Sequence, residues 1–475
     1  MNGKHIAKLG LMGADIGLAL AAATVREDAG ASRDEILGEL AGVQASPAEH
    51  NKGVYGALSA SLLAKQARDE LHAGLNAADA LRPGALSYRV WGADLIEPGA
   101  LAQMNTAMRL PISRAGALMP DAHVGYGLPI GGVLATQGAV IPYGVGVDIG
   151  CSMRLSVFAT SPSSLDSRGA VSLLQKHTRF GAGVGWEKRD RLAHDVLDAP
   201  AWDAQPLLRH LFDKAVSQLG TSGSGNHFAE FGTFTLPAPQ GGPEAGQLKA
   251  GQYLALLTHS GSRGFGAQVA GHFTRLAEGL HPALDPIAKK LAWLDLNTQE
   301  GQDYWQAMTL AGQYALANHE QIHSRVAKAL GETPALSVWN SHNLAWKQQV
   351  GGQELIVHRK GATPAAAGQL GLIPGSMADP AYLVRGRGVP ESLESASHGA
   401  GRQMGRKAAA KAIARADWKA YLAERGVTLL GGGIDEAPQA YKRVEDVIAA
   451  QSDLVEVLGQ FQPQVVRMDT GGEDI

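Results

Sequence analysis

The chain has 475 residues, 45% hydrophobic and 18% charged, with a net charge of −3. That is enough apolar material for a substantial core; it excludes wholesale disorder and a globally basic field for nucleic acid, so any polyanion site must be local. One cysteine, Cys151, excludes an internal disulfide and points to a reducing, cytoplasmic setting.

Residues 1–82 read as a helical appendage. The segments DIGLALAAATV (15–25), SRDEILGELAGV (32–43) and NKGVYGALSASLLAKQARDELHAGL (51–75) carry helical periodicity. Ser32 with Glu35 makes a capping box for the second of them. The apolar run 16–25 is too short to span a bilayer, and Lys4, Lys8 and Asp15 do not build a signal peptide, so no membrane partner is expected. Gly53 and Pro83–Gly84 break the pattern near its end.

From 83 to 475 the texture changes to short strand-like runs between glycine-rich motifs. Strands are predicted at 129–136, 153–159, 227–234, 253–259, 354–358 and 381–385. Helices are predicted at 164–177, 205–218, 264–280, 300–330, 403–424 and 440–458. No βαβ rhythm organises them, so the fold class is α+β, one large catalytic domain behind a helical N-terminal appendage.

Four histidines sit in glycine- or asparagine-rich turns beside strand-like runs: His227 in SGSGNHF, His259 in LTHSGSRG, His342 in WNSHNLAW and His398 in SHGAGR. One such histidine is ordinarily a satisfied polar residue. Four in the same setting point to chemistry, because loops held by rigid strands carry it. Asp148 and Cys151 lie three apart in VGVDIGCSM. Thiolate, carboxylate and neutral imidazole form the ligand set of a borderline-soft divalent ion, and a thiolate can bridge two ions. A free cysteine is more commonly a small buried hydrophobe, and spacing alone does not decide between the two.

The segments MPDAHVGYGLPIGG (119–132), GVGVDIGCSMR (144–154), QLGTSGSGNHFAEF (218–231), THSGSRGFG (258–266), SHNLAWK (341–347), VHRKGATPA (357–365), LIPGSM (372–377), SHGAGRQMGRK (397–407) and DEAPQAYKRVEDV (435–447) decide it. In this order they resemble the RtcB family, GTP-dependent ligases that join RNA 3′-phosphate or 2′,3′-cyclic phosphate ends to 5′-hydroxyl ends in RNA repair or tRNA splicing. The resemblance implies two manganese ions bridged by Cys151, His227 and His259 completing one, Asp148 and His342 the other. It implies His398 as the nucleophile that takes GMP from GTP. A nucleotide pocket is implied at Asn226, Phe228, Ala229, Glu230, Asn343, Pro374, Gly375, Ser376, Met377, Gly399, Ala400 and Gly401, the glycines admitting phosphate to backbone amides. Arg263, Lys360, Arg402 and Arg406 are expected on phosphates of GTP or RNA, and the basic stretch after His398 on RNA ends. Asp121 and His123 are expected to orient other groups or meet the attacking end. The family sometimes works with an archease-like activator.

Two departures stand out. PGSM is followed by ADPAY (378–382), where the family commonly carries small hydroxyl residues near the nucleotide, and the C-terminal end differs. The family closes on a lysine that reaches guanine, whereas this chain ends QPQVVRMDTGGEDI, with Arg467 or Asp469 at that place. Two alternatives to a sealing enzyme therefore stand beside it: an RNA-end-binding protein, and a nucleotidyltransferase that caps 3′-phosphates without joining them.

Overall fold

The computed structural model describes residues 1–237 and 248–470, with backbone only for 68–73 and 75–77. The chain divides into two compact units, Met1–Ala80 and Leu81–Ile475. In the first, helices α1 (Gly3–Ala7), α2 (Ala14–Asp28), α3 (Arg33–Ala45) and α4 (Gly56–Ala78) enclose Ile6, Leu11, Ala19, Ile36, Leu40, Val43 and Leu58. The capping box at the start of α3 is formed in both directions between Ser32 and Glu35. Among the described residues no helix is long and apolar enough to cross a membrane.

The second unit is α+β, built on two mixed sheets. The five-stranded sheet runs β1 (Arg89–Val90), β2 (Ser113–His123), β3 (Ile130–Thr136), then, further along the chain, Gln353–Lys360 and Asn343–Val350. The larger sheet takes β4 (Ser152–Phe158), β5 (Phe228–Leu236), β6 (Gly251–Ser260) and β7 (Pro334–Ser341). With Asn343–Val350 as β8 and Gln353–Lys360 as β9, it is completed by β10 (Leu370–Pro374), β11 (Ala381–Gly386), β12 (Thr428–Leu430) and β13 (Val455–Met468). Its order is β10–β11–β13–β5–β6–β4–β7, with β12 parallel to β13.

Both faces of this sheet are covered, which is why β6 reads as a continuous apolar run. Ala255 and Leu257 pack with Met153, Phe234 and Leu372, while Leu254 and Leu256 pack with Phe231 and Val326 on the other side. The helices here are α5 (Pro98–Met108), α6 (Ser167–His177), α7 (Pro206–Gln218), α8 (Arg263–Leu280) and the long α9 (Gln299–Leu330). Thr298 caps the first turn of α9 and Gly331, left-handed at φ 79°, ends it. Tyr304, Ala307, Ala311, Tyr314, Asn318, Ile322 and Val326 bury one face of α9 at intervals of three or four.

Two expected helices are corrected. The span 403–424 is two helices, α10 (Arg406–Ala412) and α11 (Arg415–Glu424). The span 440–458 holds only α12 (Val444–Ala449) and then enters β13. Val455, Leu458 and Phe461, spaced by threes, imitate a helix, because β13 bulges where Val457 pairs with Val384 and Gly459 with Leu383, leaving Leu458 extra. The expectations did not include β1, β2, β7, β8, β10, β12 or β13 as strands.

Candidate functional site

The register of the large sheet gathers the scattered ligand candidates. Strands β5, β6, β4 and β7 are consecutive neighbours, and the pairs Phe228↔His259, Ser152↔Ser260 and Ser152↔Ser341 put one end of each at the same level. His227 immediately precedes β5, His259 is near the end of β6, Cys151 immediately precedes β4 and His342 follows β7. Four side chains from 192 residues of sequence thus line one sheet end. Cys151 Sγ lies 3.1 Å from His259 Nε2 and 3.5 Å from His227 Nε2. His259 Nε2 lies 3.3 Å from His342 Nε2, and His227 Nε2 lies 3.0 Å from Asp148 Oδ2. Cys151, His227 and His259 each offer one atom within 4.8 Å of the others, a spacing a metal ion fits.

Protonation chemistry suits a cation. His259 Nδ1 donates to the Asn226 carbonyl (3.0 Å), so its Nε2 turns a bare lone pair toward the thiol. Burial holds His259 and His342 well below the usual imidazole range, so both are neutral at neutral pH. Burial and the Asp148 carboxylate push the Cys151 thiol up, so without a cation it keeps its proton. Burial would raise Asp148 as well, but His227 and Arg263 outweigh it and hold its carboxyl at about 2. Two neighbours compete for His227 Nδ1: the Ser222 carbonyl at 2.9 Å requires a proton there, and Arg263 Nη1 at 3.0 Å requires a lone pair. His227 Nε2 also faces Asp148 Oδ2 at 3.0 Å, as a donor when the ring is protonated on both nitrogens and as a second lone pair when it is neutral; in the neutral form a cation between the two atoms would satisfy both. The donor set therefore fits a divalent metal.

Beside this row stands His398, whose ring lies 5.0 Å from that of His342 between centroids. Asp121, fully buried at the end of β2, accepts from His398 Nδ1 at 2.6 Å and from the His398 and Gly399 amides at 3.0 and 3.3 Å. Burial alone would raise Asp121, but the charge and hydrogen bond of His398 and the charge of Lys442 bring it below the ordinary carboxylate range. The Nδ1–H is thereby fixed and Nε2 is left as the available nitrogen.

A cavity of about 890 Å³ reaches His398 and two members of the row, His259 and His342, and is lined also by Asn226, Phe228, Pro374, Gly375, Ser376, Met377 and Gly399 to Gly401, with Tyr441 and Met468. Most of the expected nucleotide pocket is therefore brought together. Ala229 is not: it alternates with Phe228 and faces the opposite side of β5, against Phe231 and Val326. Glu230 is buried with Oε2 unpartnered, and burial pushes its carboxyl well up. Asn343 laces the ligand turn, donating from Nδ2 to Asp148 O (3.3 Å) and accepting from the Gly361 amide at Oδ1 (2.7 Å).

The glycines of HGAG serve packing more than phosphate. The amides of His398 and Gly399 are committed to Asp121 and that of Ala400 to Pro374 O. Gly401, at φ 72°, has Asp121 O where a Cβ would sit, 2.0 Å away. Gly223 (φ 91°) likewise leaves room for the Arg263 guanidinium, 1.3 Å from a Cβ position.

The expected phosphate cations differ in their commitments. Lys360 is buried, its Nζ donating to Tyr126 O, and burial lowers it to about 7. Arg402 is spent on Glu436 (3.2 Å), the Tyr441 hydroxyl and backbone carbonyls. Arg406, half exposed at the cavity rim, pairs with Asp435 (2.7 Å) and Glu436. Arg467 turns away, donating to Leu174 O (2.6 Å) and lying over Phe180, so Met468 is the β13 residue in the cavity.

The residues that hold the ligands in place were not foreseen. On α9, Asn318 Oδ1 accepts from the Gly220 and Thr221 amides, and its Nδ2 donates to Thr221 O and Ser260 Oγ. His319 Nε2 donates to Ser152 O (3.0 Å) and Ser260 O (3.2 Å), the residues next to Cys151 and His259. Because those partners only accept, the whole chain has one direction: Ser156 hydroxyl to His323, His323 to Thr258, Thr258 to His319. The signal was ANHEQIH, two histidines four apart on the buried stripe of a long helix.

The family model described as tRNA-splicing ligase RtcB matches residues 103–469. The RNA-splicing ligase RtcB of Escherichia coli K12 is 35% identical over 394 residues, covering 76% of this chain and 92% of that protein. The tRNA-splicing ligase RtcB of Thermococcus kodakarensis is 31% identical over 433 residues, covering 76% and 89%. The RNA-splicing ligase RtcB of Mycobacterium tuberculosis is 31% identical over 431 residues, covering 76% and 98%. With a sheet end that gathers a thiol and three imidazoles, and a family match across most of its length, the chain belongs to the RtcB family of ligases.

Proposed function

We propose that this RtcB-family RNA ligase joins RNA ends bearing a 3′-phosphate or 2′,3′-cyclic phosphate to ends bearing a 5′-hydroxyl, through a guanylyl group carried from GTP on His398. The observation that carries this reading is the pairing of His398 Nδ1 with buried Asp121, His398 lining the same cavity as His259 and His342 of the thiol–histidine row. An imidazole so held presents Nε2 as a nucleophile and has a carboxylate to balance the charge it acquires. Nε2 attacks the α-phosphorus of GTP: a P–N bond forms, the bond to the β-phosphate oxygen breaks, and pyrophosphate leaves. The 3′-phosphate of RNA then takes the guanylyl group as the P–N bond breaks. The 5′-hydroxyl attacks the 3′-phosphorus, a phosphodiester forms, and GMP and the hydroxyl proton depart. A cyclic phosphate is first opened by water.

The clustering of Cys151, His227 and His259 supports these three as the residues that would hold one manganese ion, and Asp148 and His342, each beside a member of that cluster, as those that would hold the second with Cys151. When bound, such ions supply positive charge against phosphate oxygens. Phe228 and Tyr441 line the cavity and offer apolar faces for the base, and Glu230, two residues along the strand from Phe228, is a buried hydrogen-bonding group with Oε2 unpartnered.

The test is to incubate the protein with GTP, manganese and two oligoribonucleotides, one ending in 3′-phosphate and one beginning with 5′-hydroxyl. A joined strand, absent with His398→Ala, is the expected result. A 3′-end capped with nucleotide but never joined would replace this reading with the capping one. RNA binding without nucleotide on the protein would replace it with end-binding.

A further inference from the structure

We infer that Tyr126 is a stacking platform for the base of the 5′-hydroxyl-terminal nucleotide; this rests on the function proposed above. Tyr126 is 71% exposed at the cavity rim, next to Val124 at 47%. An exposed aromatic on a surface loop is ordinarily mobile, but this loop is held from beneath. Glu97 accepts from the Val124 amide (2.7 Å). Gln103 clamps Gly125 twice, accepting its N–H at 3.0 Å and donating to its carbonyl at 2.5 Å. Lys360 donates to the carbonyl of Tyr126 itself. Gly127, left-handed at φ 73°, lets the chain pass against Lys290 O, which would lie 2.9 Å from a Cβ. Three side chains from two other elements thus fix the backbone under a phenol ring left in solvent. Such rigidity under an exposed ring suits a preorganised contact.

The surroundings suit a single strand of nucleic acid. Tyr143 meets Tyr126 edge to face, with centroids 6.2 Å apart. Lys290 Nζ lies 5.4 Å from the Tyr143 ring centroid and pairs with Glu278 at 2.7 Å, while Lys360 Nζ, 5.1 Å from the same centroid, is buried and holds the Tyr126 carbonyl. What the rim offers a base is therefore the aromatic face, and stacking on such a face is sequence-tolerant.

Sheet membership separates two groups of lining residues. Phe228 and Met468 belong to the larger sheet, whereas His123 ends a strand of the five-stranded sheet and Val124 to Tyr126 follow it; both groups line the cavity. In the sealing step the attacking 5′-oxygen enters opposite the departing GMP. The 5′-hydroxyl strand is accordingly assigned to the Tyr126 side, away from the lining residues taken for the nucleotide.

The experiment uses the full chain with manganese and GTP. One oligoribonucleotide carries 2-aminopurine as its 5′-hydroxyl-terminal base, a second carries it as its 3′-phosphate-terminal base, and a third is abasic at the 5′ terminus. Wild type and Tyr126→Phe are expected to quench the first probe on binding. Tyr126→Ala is expected to lose the quenching and bind roughly 10-fold more weakly. Wild type is expected to bind the abasic strand as weakly as Tyr126→Ala binds the intact one. An unchanged melting temperature shows that Tyr126→Ala is folded. Equal binding and quenching by wild type and Tyr126→Ala would overturn the inference. So would a Tyr126-dependent signal on the 3′-phosphate probe alone. Labelling of wild type by α-labelled GTP, measured separately, isolates the parent reading: its absence counts against the proposed function, while the quenching result judges the platform.

Discussion

Two parts of one cavity treat histidine differently. At the sheet end, His259 is buried and its Nδ1 faces a backbone carbonyl, a neutral acceptor. Across the cavity, His398 is 18% exposed at its side chain and its Nδ1 faces a buried carboxylate. A carbonyl fixes a tautomer without favouring the charged ring, which suits a ligand. A carboxylate fixes the same tautomer and also stabilises positive charge, which suits a nucleophile that must accept a phosphoryl group. The partner of the remote nitrogen, more than the histidine, separates the two jobs.

That contrast can be broken at either end. The largest effect is expected from Asp121→Asn, which keeps the shape and removes the charge. GTP-dependent labelling of His398 should slow by about 10⁴-fold, the scale seen when a histidine loses its orienting carboxylate, while manganese binding measured by calorimetry stays as in wild type. Cys151→Ala should do the reverse at the metal, weakening manganese binding by at least roughly 100-fold because a shared ligand is gone.

Smaller effects sharpen the contrast. His319→Leu removes the imidazole donor that the carbonyls of Ser152 and Ser260 share. Manganese affinity should fall roughly 10-fold and stability by ~2 kcal/mol, read by calorimetry and urea unfolding. His358 is a control, buried between the Ile141 amide and the Leu134 carbonyl. Burial lowers it to about 4, so its neutral form stabilises the fold fully above the unfolded value near 6.5, and that contribution is lost as pH falls toward 4. From pH 7 to pH 5 it should account for about 2 kcal/mol of lost stability. Urea unfolding of His358→Gln should show a correspondingly flatter pH dependence.

Local rules were legible where one segment carries its own signal. The Ser32–Glu35 cap, the apolar run of β6 and the long stripe of α9 follow from neighbours a few residues apart. The bulged β13 was misread because an extra residue shifts a period of two toward a period of three. The site was legible as motifs but not as geometry. Nothing local indicates that residues 151, 227, 259 and 342 end adjacent strands, since that depends on a sheet order out of step with the chain. Nor could spacing show that Lys360 and Arg402 are committed to internal partners, or that HGAG is shaped by Asp121.

The most direct test of the central claim is to locate the nucleotide. Wild type, His398→Ala and Asp121→Asn would each be incubated with manganese and α-labelled GTP, and acid-labile label mapped to its residue by mass spectrometry, with bound manganese counted in parallel. The account predicts label on His398 in wild type, none in His398→Ala, greatly slowed labelling in Asp121→Asn, and equal manganese in all three. Label persisting in His398→Ala, or wild-type labelling in Asp121→Asn, would contradict it.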